Sequence, residues 1–212
     1  MTDHVEGFQC LTADGMPGNH AEGHQTRATG GGAHSEGEQT VASGFVSHAE
    51  GSQSVASAMY THAEGKETKA TNEAAHAEGK GTTASAAEAH AEGISTVASG
   101  VASHAEGDRT TASGMASHTE GQFTIASTNF THAEGLGGTF TLNNVEYTSG
   151  AKGTADHVEG FQCLTASGQP GNHAEGYQTR ATGGAAHTEG SVTVASGNSS
   201  HAEGSTTIAS GS

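Results

Sequence analysis

The chain has 212 residues, a formal net charge of −16 and 33 glycines, with two prolines and no tryptophan. Leu, Ile, Val and Phe together number only 23, a composition that on its own is typical of disordered chains. Seven Lys and Arg residues against 23 acidic ones, with no basic patch, argue against nucleic-acid binding.

A repeated phrase nevertheless predicts an ordered structure. From His20 to His132 the phrase His-x-Glu-Gly returns every 14 residues, and a fixed period of this kind marks a repeat architecture. A disordered linker has no reason to keep three residue types in phase. The fourteen copies begin at His4, His20, His34, His48, His62, His76, His90, His104, His118, His132, His157, His173, His187 and His201.

Each 14-residue coil consists of two seven-residue halves. The first half is exemplified by Ser47–Gln53 and the second, with the phrase Thr-x-Ala-Ser, by Thr110–Ala116. Ser or Thr holds place one, Ala holds place three, Gly often holds place five, and places six and seven vary. Alternating small residues indicate strands whose odd places face a narrow interior, and Gly at place five suits the bend into a turn. The sequence therefore predicts an all-β parallel solenoid.

Taken in order, the chain departs from the 14-residue period at three steps, of which the last, from His157 to His173, repeats the 16-residue spacing of the first. The first coil spans 16 residues from His4 to His20, with a predicted turn at Met16-Pro17-Gly18. The step from His132 to His157 is 25 residues, and Thr139–Thr148 predicts a projecting β-hairpin about an Asn143-Asn144 turn.

The opening segment then returns. Residues 156–190 match residues 3–37 at 30 of 35 places, offset by 153. We therefore predict repeats over 1–135, an inserted hairpin over 136–155 and a second β-roll segment over 156–212, the start of a 153-residue super-repeat. The matching segments also favour end-to-end stacking of molecules or a longer fibre.

Two further features concern export and the two cysteines, and the cysteines do not indicate the compartment. Met1-Thr2-Asp3 leads straight into the first repeat, so we expect no secretory signal, transmembrane run or lipidation signal; the chain is not exported by a standard signal, or it is a fragment. Cys10 and Cys163 occupy equivalent places in two copies of one segment, which makes an intrachain bridge unfavourable and leaves free thiols or links between chains.

The alternation in Thr110–Gly121 resembles the YadA-like head repeat of trimeric autotransporter adhesins, with similar repeats in phage tail fibres and spikes. The resemblance covers nearly the whole chain apart from about 136–155. It implies a left-handed parallel β-roll and a homotrimer, intertwined or side by side, on a cell surface or virion. It also places the His and Glu residues of the first half-coil at the trimer axis.

We expect these His and Glu residues to form ladders that contact a fixed partner. The corresponding second-half places vary, as at Val41, Lys69 and Arg180, which indicates contact with water. A closed ring of His-to-Glu contacts between three chains would give register, and nearby carboxylates would raise the His pKa values. The predicted axis ladder comprises His20, Glu22, His34, Glu36, His48, Glu50, His62, Glu64, His76, Glu78, His90, Glu92, His104, Glu106, His118, Glu120, His132, Glu134, His173, Glu175, His187, Glu189, His201 and Glu203.

Other chemistry ranks lower. Three His around an axis can ligate zinc or nickel, but fourteen identical layers favour packing over a dedicated metal site, so no cofactor is expected. Catalysis needs one asymmetric constellation in a pocket, and no catalytic residue is assigned. The threonine row, which includes Thr40 and Thr96, should face inward with Ala and not form an exposed hydroxyl row.

These observations predict a non-enzymatic, extracellular or virion-borne fibre segment that acts as a rigid spacer or adhesive head. A self-assembling filament and a metal-binding His/Glu scaffold are the alternatives. The expected partners are two further copies of the chain, end-to-end neighbours and a receptor or glycan, without nucleic acid or membrane insertion. Candidate surface contacts are Phe45, Tyr60, Phe123, Phe130, Phe140 and Tyr147.

Overall fold

The computed structural model describes residues 3–13, 16–142 and 145–211. Every regular element in these ranges is a β-strand, and none is a helix. The chain divides into two compact units at the Ala102–Ser103 boundary, each of which is described by itself. The segment boundaries expected at 135 and 155 stay predictions.

The first unit stacks seven coils, each with a long strand followed by a short one. Its long strands are β1 (His4–Phe8), β3 (His20–His24), β5 (His34–Glu38), β7 (His48–Ser52), β9 (His62–Lys66), β11 (His76–Lys80) and β13 (His90–Ile94). Its short strands are β2 (Leu11–Thr12), β4 (Arg27–Ala28), β6 (Val41–Ala42), β8 (Val55–Ala56), β10 (Lys69–Ala70), β12 (Thr83–Ala84) and β14 (Val97–Ala98). Long strands pair with long strands and short with short.

The second unit repeats this arrangement around the insertion. Its strands that begin with the repeated His are β15 (His104–Asp108), β17 (His118–Thr119), β19 (His132–Ala133), β22 (His157–Phe161), β24 (His173–Tyr177), β26 (His187–Ser191) and β28 (His201–Ser205). They are counted here with the long strands, although β17 and β19 have only two residues each. Its short strands are β16 (Thr111–Ala112), β18 (Ile125–Ala126), β23 (Leu164–Thr165), β25 (Arg180–Ala181), β27 (Val194–Ala195) and β29 (Ile208–Ala209). Between β19 and β22 lie β20 (Thr139–Leu142) and β21 (Val145–Thr148).

Pairing between coils is parallel and keeps identical residues over one another. In β7 and β9, His48 pairs with His62 and Glu50 with Glu64. A slip of one residue would turn the alanines outward, so the small-residue pattern holds the register. The predicted all-β solenoid of stacked 14-residue coils is confirmed, whereas its handedness and its association into trimers stay predictions.

The interior of the coils consists mainly of small side chains, with larger ones such as Asn19 and Val158 buried in the longer coils. Ala49 and Ala56, at place three of the two halves of one coil, are fully buried. Thr40, Thr68 and Thr96, at place one, are also fully buried. The threonine row therefore faces inward, as the alternation predicts, and it does not form an exposed hydroxyl row.

Glycine at place five of the first half-coil is required by both conformation and space. Gly37 has φ +110°, a value that side-chain-bearing residues rarely adopt. A Cβ added there would lie 2.1 Å from the carbonyl oxygen of Gly51 in the next coil. Place five therefore sets how closely neighbouring coils approach.

Place seven adopts the left-handed conformation without glycine in most coils. Gln53 and Tyr60, which end the two halves of one coil, have φ values of 59° and 60°. Even β-branched Val46 has φ 52°, although L-residues are disfavoured there by roughly 1–2 kcal/mol. Ladder pairing on both sides of each turn outweighs this local cost.

Strands β20 and β21 pair antiparallel, with Phe140 opposite Tyr147. Their rings stack at 5.5 Å, and the Arg180 guanidinium lies 4.3 Å from the Tyr147 ring centre, which ties the strand pair to its own unit. The Asn143-Asn144 turn lies outside the described residues, so the hairpin connection stays a prediction.

Candidate interaction face

The His and Glu side chains of the long strands project away from the alanine interior and form one face in each unit, here called the His/Glu face. The reason is strand alternation: in β7 the intervening Ala49 is fully buried, while His48 and Glu50 are partly exposed. From the His20 coil to the His90 coil, the His side chains are 34–39% exposed and the Glu side chains 44–49% exposed. The ladder residues predicted from the sequence thus lie on this face of their own unit.

Imidazoles of successive coils stack along the ladder, and most neighbouring rings are close to parallel while three pairs are tilted by 31–39°. Within the two units, ring centroids of neighbouring His residues lie 4.5–4.9 Å apart. The His48 and His62 rings are within 3° of parallel. Neutral rings pack well at this spacing, whereas adjacent imidazolium ions would repel one another.

In most coils the imidazole also meets the carboxylate of its own strand. The distance from His Nε2 to Glu Oε2 is 3.1 Å for His132 and Glu134, 3.2 Å for His20 and Glu22, and 3.4 Å for His48 and Glu50. Since Nε2 is directed at the neighbouring Glu, a contact with another chain would use Nδ1 and the remaining carboxylate oxygen.

The expectation that carboxylates raise the His pKa values is wrong for four residues. The pKa of His48 lies below its ordinary value because partial burial penalises the imidazolium, with the stacked His34 and His62 adding to this effect. Burial is also the main cause for His76, His118 and His187. The neighbouring Glu residues act in the opposite direction, but with smaller effect, so the neutral imidazole is favoured in the folded chain.

The predicted surface aromatics divide into three groups. Phe45, Tyr60 and Phe130 are 50%, 54% and 58% exposed and lie on turns. Phe123 and Tyr147 are half-buried. Phe140 is only 6% exposed, so the expectation that it forms a surface contact is wrong; its ring packs on Tyr147 instead.

A column of glutamine amides at place seven was missed by the sequence reasoning. Gln25 donates through Nε2 to Gln9 Oε1 at 2.8 Å, Gln39 donates to Gln25 at 3.0 Å, and Gln53 donates to Gln39 at 3.0 Å. The sequence pattern that could have predicted this column is the return of Gln every coil. That pattern indicates hydrogen bonds between the amides only if the turn is known to direct every place-seven side chain the same way. The column caps one flank of the coils with neutral hydrogen bonds.

One group of candidate metal ligands occurs within the first unit. Ligand atoms of His4, His20 and Glu22 all lie within 4.8 Å of one another. Three such donors match the number that a catalytic zinc site uses, but the His4 and His20 rings lie one above the other, with centroids 4.7 Å apart, as other neighbouring rings of the ladder do. The geometry therefore suits packing between coils better than metal chelation.

Cys10 and Cys163 are both free thiols. This agrees with the expectation that cysteines at equivalent places do not form an intrachain bridge. Cys163 is 1% exposed, and burial raises the pKa of its thiol. Cys10 is more accessible. The two equivalent sulfurs therefore differ in reactivity because their surroundings differ.

Comparisons with known proteins give no indication of function. Among the described residues, no helix is long and apolar enough to cross a membrane. No protein-family model matches the chain, and a search of curated proteins finds no match either. A proposal about function therefore rests on the His/Glu face and on the surfaces beside it.

Proposed function

We propose that the chain is a non-enzymatic fibre or adhesive-head segment in which three copies associate along the His/Glu face. In this arrangement the stacked coils act as a rigid spacer and present the turns and the β20–β21 strand pair to a receptor or glycan. Its proposed location is extracellular, on a cell surface or on a virion.

The observation that carries the proposal is the constancy of the His/Glu face compared with the opposite face. His and Glu return in every coil and keep one geometry, with half-exposed side chains in register. The corresponding short-strand places change from Val55 to Lys69 to Thr83. A surface that meets water tolerates such variation, while a surface that meets an identical copy of itself does not.

Energetics support association. Burial of an Ala methyl contributes less than about 0.8 kcal/mol, while ordering the backbone of one residue costs about 1–2 kcal/mol. A coil whose interior holds Ala49, Ala56 and Ser54 therefore gains little from burial within one chain. A second buried surface along the His/Glu face would offset part of this cost.

Light scattering across a concentration series tests the proposal directly. A trimer has three times the mass of the 21.0 kDa chain. His62→Asp adds a carboxylate beside Glu64 on the proposed interface, so we expect it to shift the trimer toward single chains by like-charge repulsion. Thr83→Asp is the matched control because it adds the same charge at a half-exposed short-strand place.

A stable single chain at all concentrations would contradict the proposal. Equal loss of the trimer in His62→Asp and Thr83→Asp would show that charge, and not the His/Glu face, controls association. Circular dichroism of both variants checks that the coils themselves remain folded.

A filament is the second candidate, favoured by a comparison of the two copies of the opening segment. Val158, which pairs with the preceding coil at Ala133, is 4% exposed, whereas the equivalent Val5 is 49% exposed. The same sequence can therefore bury this side chain beneath a preceding coil, and a second copy could supply one. Masses that grow with concentration beyond the trimer, and that Val5→Asp returns to the trimer, would support this candidate.

A further inference from the structure

The column of place-seven side chains is interrupted in the second unit. Gly137 stands where the preceding coil has Phe123 and the following coils have Gln162 and Gln178. Glycine contributes no side chain to the column at this position, and a Cβ added to Gly137 would clash with the Phe123 carbonyl oxygen. A solvent-open cavity of about 470 Å³ lies beside it, lined by residues that include Gln122, Phe123, Leu136, Gly137, Thr139 and Gln162.

The interruption leaves one amide donor without the partner found elsewhere in the column. In the first unit, Gln39 Nε2 donates to the Oε1 of Gln25 in the preceding coil at 3.0 Å. Gln162 accepts in this way from Gln178 at 2.9 Å, but Gly137, at place seven of the preceding coil, has no side-chain amide oxygen to offer it. Its own Nε2 meets only the carbonyl oxygen of Thr139, at 3.5 Å. This distance lies beyond the ordinary range, so the donor retains capacity for a closer acceptor.

The other lining groups are neutral or apolar. Gln122 donates through Nε2 to Asp108 Oδ2 at 2.7 Å, which leaves its Oε1 as an acceptor. The Arg109 guanidinium lies 4.9 Å from the centre of the Phe123 ring and 3.5 Å from Asp108. The two charges beside the cavity therefore offset each other. Leu136, half-buried, adds an apolar surface.

We propose that this cavity binds one neutral saccharide unit, which deepens and rests on the adhesive role proposed above. A sugar ring offers a C–H face to Phe123 and Leu136, and hydroxyl groups that can accept from Gln162 Nε2 and donate to Gln122 Oε1. The volume lies within the range of about 300–1,000 Å³ that small-molecule sites occupy. The paired local charges and the net charge of −16 disfavour an acidic sugar.

Saturation-transfer NMR and titration of the full 212-residue chain test the proposal. The probes are lactose, cellobiose and N,N′-diacetylchitobiose, with sialyllactose as the acidic comparison. Gln162→Glu keeps an oxygen that accepts from Gln178 but removes the amide donor, so we expect about tenfold weaker binding of a neutral disaccharide. Phe123→Ala removes the ring and should weaken binding at least as much.

Gln39→Glu is the matched control because it makes the same change between two glutamines of the column, Gln25 and Gln53, and it should leave saccharide binding unchanged. Binding that survives both Gln162→Glu and Phe123→Ala would overturn this site. Binding of sialyllactose alone, or of none of the neutral probes, would overturn the proposed ligand class. The scattering mass of the chain is measured separately, so failure of the saccharide site is distinguishable from failure of the trimer.

Discussion

Replacement of a place-five glycine should show that contact between coils, and not backbone conformation alone, limits this fold. Gly37 and Gly138 have nearly the same φ, +110° and +111°. A Cβ at Gly37 would lie 2.1 Å from the Gly51 carbonyl oxygen, while a Cβ at Gly138 meets nothing within 4 Å. Gly37→Ala therefore imposes conformational strain and a clash, whereas Gly138→Ala imposes only the strain.

The expected difference follows from these two terms. A residue held in a sparsely populated backbone region costs about 1–3 kcal/mol, which is the full expected loss for Gly138→Ala. In Gly37→Ala the coils must also move apart, which weakens bonds such as His34 N to Ser47 O and Gln53 N to Glu38 O, at 2.9 and 2.8 Å. Each such bond contributes about 0.5–1.5 kcal/mol, so we expect Gly37→Ala to cost about 2 kcal/mol more than Gly138→Ala.

Urea unfolding followed by circular dichroism, at one protein concentration for all variants, measures the difference in unfolding free energy. Native-state hydrogen exchange adds a local measurement, since amides of the coils on either side of Gly37 should lose protection first. Equal losses for the two variants would refute the reasoning, because the close approach between coils would then carry no measurable cost.

The remaining predictions concern strain, pH and thiol reactivity. Val46 is exposed and has φ 52°, so Val46→Asn should raise the unfolding free energy by about 0.5–1 kcal/mol, because Asn tolerates this conformation better; a loss of stability in urea unfolding would contradict this. Burial lowers the pKa of His48 from 6.5. The contribution of this residue to stability is therefore complete above pH 6.5 and is lost as pH falls through the lower folded-state pKa. Thermal unfolding midpoints should decrease on acidification from about pH 7.5 to 5, whereas a rising midpoint would indicate that His–Glu attraction dominates. A chromogenic disulfide reagent should modify Cys10 before Cys163, since burial raises the pKa of the Cys163 thiol; equal rates in the folded protein would show that the coil over Cys163 opens freely.

Local structure followed from the sequence because a 14-residue period leaves few alternatives. Once His48, Ala49 and Glu50 are known to repeat in phase, parallel pairing places each over its counterpart, and alternation decides which side faces inward. The inward threonines were predictable by the same rule. A repeated short phrase thus determines coil, register and interior together.

The details of the candidate sites required the tertiary structure. The lowered pKa of His48 depends on burial and on imidazoles stacked above and below it, which carboxylate spacing alone does not reveal. The burial of Phe140 depends on its packing within the β20–β21 pair. Neither the lowered pKa nor the burial can be derived from the residues next to His48 or Phe140 along the chain.

The sequence by itself determined the all-β class, the coil period, the register and the small-residue interior, because these depend on spacing along the chain. Only the tertiary structure decided that place seven is left-handed, that Gln25 and Gln39 share a hydrogen bond, and that Gly137 interrupts the column beside Gln162. The physical reason is that these features depend on where a turn directs its side chain and on what the next coil supplies at that point.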